Sequence, residues 1–121
     1  MDLLAARWRQ LPNRHTSRAD CRNDFGVAEA YTATGNANNA LVIPAGLAFA
    51  RARERQPEID LYAPDKQHPS LAGTYLAACT TYAALTGKSP VGNSYVAGLD
   101  AQAAKFLQEV AWETAQDYYG K

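Results

Sequence analysis

Cysteine is scarce in this chain of 121 residues, and a long apolar run is absent. Two cysteines cannot form the dense disulfide framework of a small secreted scaffold. No apolar stretch approaches the roughly 20 residues that a transmembrane helix requires. The apolar run at residues 3–6 is too short for the core of a signal peptide, and Arg7 follows it at once. We therefore expect no membrane span, and the sequence leaves the localisation open.

Net charge is also absent, because 12 Lys or Arg residues balance 12 Asp or Glu residues. A nucleic-acid partner would require a basic face, so this balance argues against one. The charge is nevertheless uneven. Residues 1–22 contain five arginines and two aspartates but show neither helical nor strand periodicity. We therefore predict a poorly ordered basic arm over residues 1–27 and one domain over residues 28–121.

Helical signals dominate the rest of the chain. Residues 25–34 predict a helix that stops at Gly35, and residues 46–56 predict a second helix that ends before Pro57. A third helix is predicted from Pro69, which fits a first turn, to Gly87. Its apolar residues recur at spacings of four and three, which is typical of one stripe of an amphipathic helix. That stripe contains Leu71, Tyr75, Ala78, Tyr82 and Leu85. The fourth predicted helix has Asp100 as N-cap and buries Phe106, Leu107, Val110 and Ala111.

A continuous apolar run at residues 40–43 predicts one strand buried on both faces, which Pro44 closes. Such a strand requires parallel neighbours, and the chain offers no second strand of this kind. Either the protein is a small helical domain, or the rest of the sheet lies outside this chain. In the second case we expect self-association through the unpaired strand edge.

The most informative residues are Asp65 and His68, three apart on a loop that leads into the third helix. This spacing lets the Asp65 carboxylate accept the Nδ1 proton of His68, which leaves Nε2 free as a base. The positive end of the helix disfavours the imidazolium form. A structural interpretation stays open, in which Asp65 is a turn residue and His68 an exposed cap.

The block Asp-x-x-His-Pro-Ser-x-x-Gly at residues 65–73 resembles the last signature block of the SGNH (GDSL-like) serine hydrolases. Its flanks, within about residues 40–115, are similar as well: Pro-x-Gly-Leu-Ala and Asp-Leu-Tyr before it, and Gly-Thr-Tyr-Leu-Ala-Ala and Leu-Thr-Gly-Lys-Ser-Pro-Val-Gly at its end and after it. The resemblance implies an α/β fold, namely the C-terminal portion of a three-layer α/β/α (flavodoxin-like) domain, mostly helical with one or two parallel strands here. It also implies an ester hydrolase with an acyl-serine intermediate, in which His68 is the general base and acid and Asp65 orients it. The implied substrate is a small ester or an acylated carbohydrate, and no cofactor is implied.

The resemblance is incomplete, because the family carries its nucleophilic serine in a Gly-Asp-Ser block that this sequence lacks. The four serines are Ser17, Ser70, Ser89 and Ser94. We expect Ser70 to serve the first turn of the third helix and residues 92–94 to form a turn. The chain alone is therefore predicted to be nearly inactive. Related full-length enzymes are often exported.

Two other interpretations compete with this one. A metal site would have at most the three ligands Asp65, His68 and His15, with no further ligand at helical spacing from His68, so we predict no metal. Cys79 falls inside an apolar helix and is expected in the core. The second functional hypothesis is a small, mainly helical interaction module in which Asp65 and His68 are structural.

Overall fold

The computed structural model of the chain describes residues 12–14 and 22–120. Over these ranges it contains four helices, which are α1 (Arg22–Ala37), α2 (Ala45–Arg55), α3 (Leu71–Thr86) and α4 (Ala101–Tyr119). The most extensive packing is between α3 and α4; α2 packs on both of them, and α1 packs on α2. Most of the predicted arm, residues 1–11 and 15–21, lies outside the described residues. α1 begins before the predicted domain boundary at residue 27.

The predicted α/β fold is wrong. The described part of the chain is a small helical bundle without a β-strand, not a portion of a three-layer α/β/α domain with parallel strands. The described residues contain a single isolated β-bridge, an antiparallel pairing of Tyr62 with Pro69. The helical alternative to the predicted strand is therefore the one that the structure supports.

The apolar run at residues 40–43 is not part of a sheet, because side chains take the place of strand partners. The amide of Val42 donates to Asn13 Oδ1 at 3.1 Å, and Asn13 Nδ2 donates to the Ala40 carbonyl at 2.9 Å. The Tyr119 hydroxyl donates to the Val42 carbonyl. Buried backbone groups must find partners, but the partners need not belong to a strand. A buried strand and a buried segment outside a sheet are both apolar, so the apolar run could not distinguish between them.

Gly35 lies inside α1, although the sequence predicted that it would end the helix. A Cβ atom at this position would lie 2.4 Å from Val42 Cγ2 and 3.0 Å from Asn13 Nδ2. Glycine is therefore needed for the close approach of α1 to the extended segment rather than for a helix stop. The helix continues to Ala37.

The apolar stripe predicted on α3 faces largely outward. Leu71, Tyr82 and Leu85 are 56%, 41% and 49% exposed, and only Tyr75 of the stripe is buried. The buried face of α3 is instead formed mainly by small residues together with Leu76. The small residues are Gly73, Cys79, Thr80, Ala83 and Ala84. Since α3 is apolar on nearly every side, spacing alone could not select the face that packs closely against α4.

The predicted helix ends are confirmed at the start of α4 and at the end of α3. Asp100 caps α4 by accepting from the amides of Gln102 and Ala103, and Gly87 ends α3 with a φ of 69°. Three of the four predicted core residues of α4 are fully buried, and Phe106 is half-buried. Cys79 is buried as predicted. Within the described ranges, no helix combines the length and the apolar character needed to cross a bilayer.

Candidate active site

Asp65 and His68 lie on the connection between α2 and α3, and both ends of that loop are fixed. The Ser70 amide donates to the Leu61 carbonyl at 2.9 Å, and Leu61 is fully buried in the core. The Ser70 hydroxyl donates to the Asp60 carbonyl at 2.7 Å and accepts from the Gly73 amide at 3.1 Å. Ser70 therefore caps α3, as predicted, and also fastens the loop to the helix.

The tip of the loop is a closed turn. The Lys66 amide donates to the Ala63 carbonyl at 2.8 Å, and the Ala63 amide donates to the His68 carbonyl at 2.7 Å. Lys66 has a φ of 60°, in the left-handed region. Asp65 Oδ1 accepts from the amides of Gln67 and His68, both at 3.0 Å. One oxygen of the Asp65 carboxylate thus stabilises the turn itself.

The other carboxylate oxygen holds the histidine ring. Asp65 Oδ2 lies 2.5 Å from His68 Nδ1, within hydrogen-bonding distance. A carboxylate only accepts, so the neutral ring must carry its proton on Nδ1. The His68 side chain is 78% exposed. In that tautomer Nε2 carries no proton, and the contact between Asp65 and His68 is the one that the spacing predicted.

These hydrogen bonds also govern the titration of the carboxyl group. The bond to the His68 ring, followed by those from the Gln67 and His68 amides, lowers the pKa of Asp65. The ionised form is therefore favoured in the folded protein. Its contribution to stability is complete above the ordinary aspartate pKa of about 3.9 and is lost as the pH falls through the lowered value.

None of the described serines is hydrogen-bonded to His68. Ser70 is occupied as the helix cap, and Ser89 Oγ accepts from the Val91 amide at 3.1 Å. Ser94 lies in the turn-rich connection between α3 and α4, as predicted. Ser17 and His15 lie outside the described residues. The structure brings Asp65 and His68 together, and no serine of residues 22–120 is hydrogen-bonded to either of them.

Other reactive groups stand apart from this pair. Burial raises the pKa of the Cys79 thiol, which disfavours the reactive thiolate form. In the part of the chain that the structure describes, no three His, Cys, Asp or Glu side chains gather as metal ligands would. The pair is thus the candidate site.

The loop that carries the pair also lines a cleft that the sequence did not predict. Its volume is about 450 Å³. Its lining residues are Arg53, Asp60, Tyr62, Ala63, Pro64 and Lys66. Arg53 comes from α2, and its guanidinium carbon lies 5.8 Å from the centroid of the Tyr62 ring. Nothing in the sequence indicates that a residue of α2 reaches the loop, so no local signal could have revealed the cleft.

No family model, curated protein or solved structure matches this chain. Its function must therefore be inferred from its own residues.

Proposed function

We propose that Asp65 and His68 are the acid–base pair of a serine ester hydrolase of the SGNH type. The observation that supports this role is the 2.5 Å contact between Asp65 Oδ2 and His68 Nδ1 on an otherwise exposed ring. A base for acyl transfer needs one ring nitrogen fixed by a carboxylate and the other open to the nucleophile. The pair satisfies both conditions.

The proposed reaction has two acyl transfers. His68 Nε2 accepts the proton of a serine hydroxyl while that oxygen bonds to the ester carbonyl carbon, and the imidazolium then donates the proton to the departing alcohol. Water attacks the resulting acyl-serine in the same way and releases the acid. Because the Gly-Asp-Ser block is absent from these 121 residues, we propose that another segment or chain supplies the serine. A small ester or an acylated carbohydrate is the proposed substrate.

The test is to express the whole open reading frame that contains this chain and to measure hydrolysis of short-chain p-nitrophenyl esters. We expect a fluorophosphonate probe to label one serine outside the described residues. The His68→Ala variant should lose about 10⁶-fold in kcat, because the loss of a triad histidine removes the covalent route. Gln67→Ala is the matched control, since it changes a neighbouring side chain of the same turn and should leave kcat unchanged.

Two results would contradict this proposal. One is hydrolysis that survives the loss of His68, and the other is a protein in which the probe labels no serine. The 121-residue chain alone should hydrolyse these esters no faster than free imidazole, because it lacks the covalent route. Faster turnover that depends on His68 would refute the need for an added serine.

A second candidate function is a helical binding module, which the strand-free architecture of the described residues favours. An apolar groove of about 300 Å³ runs between α1 and residues 42–47. Val27 and Tyr31 line it and are 54% and 65% exposed. If binding at this groove is the function, Tyr31→Ala will abolish it and His68→Ala will have no effect, the reverse of the result expected for a hydrolase.

A further inference from the structure

The loop that carries the acid–base pair reverses the direction of the chain over residues 63–68. The Lys66 amide donates to the Ala63 carbonyl at 2.8 Å, which closes a β-turn. The Ala63 amide donates to the His68 carbonyl at 2.7 Å, so the chain returns antiparallel to itself. A β-turn followed by one left-handed residue is a common connection of this kind. Here that residue is Lys66, with a φ of 60°.

Lysine is an unusual residue in a left-handed position. The conformation brings Cβ close to the following carbonyl oxygen, so glycine and asparagine are the ordinary choices there. Contacts of the charge do not account for it, because the exposed Lys66 ammonium makes no hydrogen bond or ion pair with the described residues. A strained backbone persists only where the surrounding structure fixes it. The feature that the loop uses at this position is therefore the backbone of Lys66.

This backbone determines whether the pair can meet. Three residues of fully extended chain span about 10 Å, so without the reversal His68 would lie beyond the reach of Asp65. With it, Asp65 Oδ1 accepts from the amides of Gln67 and His68, and Oδ2 lies 2.5 Å from His68 Nδ1. All three donors follow Lys66 in the chain. A rotation about the Lys66 backbone would therefore move them together away from the carboxylate.

We propose that Lys66 is a positioning residue, whose left-handed backbone and not its charge holds His68 against Asp65. The proposal deepens the hydrolase function, because it names what orients the proposed base, and it rests on that function for the role of the base. The contact between the two side chains can be measured in the absence of any hydrolysis.

The test compares Lys66→Asn with Lys66→Val in the 121-residue chain, since both variants remove the charge. Asparagine tolerates the left-handed region, whereas a β-branched residue is a genuine outlier there. In Lys66→Val the protection of the Gln67 and His68 amides from hydrogen exchange should fall about 10-fold, and NMR of the neutral His68 ring should show part of its proton on Nε2. In Lys66→Asn the protection and the Nδ1 proton should match those of the parent chain.

The control variant is Gln67→Val, which places the same side chain in the same turn at a residue without a positive φ. It should keep the protection of the His68 amide. The Gly87 amide, which donates to the Ala83 carbonyl at the far end of α3, should stay protected in every variant. Its protection would show that the loop opens without unfolding of the bundle.

Two results would overturn the proposal. Equal losses in Lys66→Asn and Lys66→Val would show that the charge matters and not the backbone, and unchanged protection in Lys66→Val would show that the turn does not depend on residue 66. The hydrolase function fails separately. If the variants behave as expected but the whole protein hydrolyses no ester, the positioning role is retained and the catalytic role is refuted.

Discussion

Two non-helical stretches of this chain lead into helices, and they are held in place in different ways. Residues 40–44 lead into α2, and the backbone of Val42 is held by Asn13 and Tyr119, which are 29 and 77 residues away. Residues 61–70 lead into α3, and their hydrogen bonds within the described ranges join groups ten residues apart or fewer. A loop with local bonds can be predicted from a short motif, whereas a segment with distant partners cannot.

The largest expected effect concerns the junction between the loop and α3. A Cβ atom at Gly73 would lie 2.1 Å from the Leu61 carbonyl oxygen, which is backbone and cannot move aside easily. Gly73→Ala should therefore lower the free energy of unfolding by about 3 kcal/mol, as overpacking does. Urea denaturation measures the change.

Gly46→Ala is the matched control for that substitution. Gly46 lies in α2, and nothing lies within 4 Å of the Cβ atom that alanine would add. Alanine there should stabilise the protein by about 0.5 kcal/mol, because it restricts the unfolded chain. If both variants unfold at the same urea concentration, the loop is not held against α3 as described.

The next largest loss of stability should come from residues 40–44, whose hydrogen-bond partners are distant in sequence. Asn13 is 7% exposed and bonds to the backbone of both Ala40 and Val42. Asn13→Ala should cost about 2 kcal/mol, because it leaves the buried Val42 amide without its partner. Hydrogen exchange should show faster exchange of the Val42 amide in the variant. An unchanged exchange rate would mean that another group protects this amide, as a neighbouring strand would.

A smaller effect is expected at the loop, where one hydroxyl has two roles. Ser70→Ala removes both the cap of α3 and the bond to the Asp60 carbonyl. The loss should be about 1 kcal/mol, the usual effect of removing a helix N-cap. Thermal unfolding measures this loss. Ser94→Ala, at an exposed position, should leave the thermal unfolding curve unchanged. Equal losses in the two variants would show that Ser70 does not fasten the loop.

Local chemistry explains what could be predicted from the sequence. The caps at Ser70 and Asp100 and the left-handed Gly87 depend on neighbours within a few residues, and each was predicted correctly. The contact between Asp65 and His68 has the same origin, because a spacing of three residues in a tight turn leaves few alternatives. Its chemical role stays a prediction.

Tertiary packing explains what could not be predicted. The apolar run at residues 40–43 indicated a strand because the sequence does not reveal that Asn13 and Tyr119 satisfy Val42. Gly35 indicated a helix end because the sequence does not reveal that Val42 and Asn13 pack against it. The cleft depends on Arg53 of α2, which no motif in the sequence places against the loop. Each error concerns packing between separate elements, which local patterns do not encode.

The most direct test of the Asp65–His68 pair is the position of the proton on the neutral His68 ring. Two-bond ¹H–¹⁵N correlation spectra, recorded at a pH where the ring is observed to be neutral, report it in the parent chain and in Asp65→Asn. We predict the proton on Nδ1 in the parent chain. In the variant the amide group can donate to Nδ1, and the proton should move to Nε2. A parent chain with its proton on Nε2 would contradict the proposed base, because that nitrogen could not accept a proton from a nucleophile.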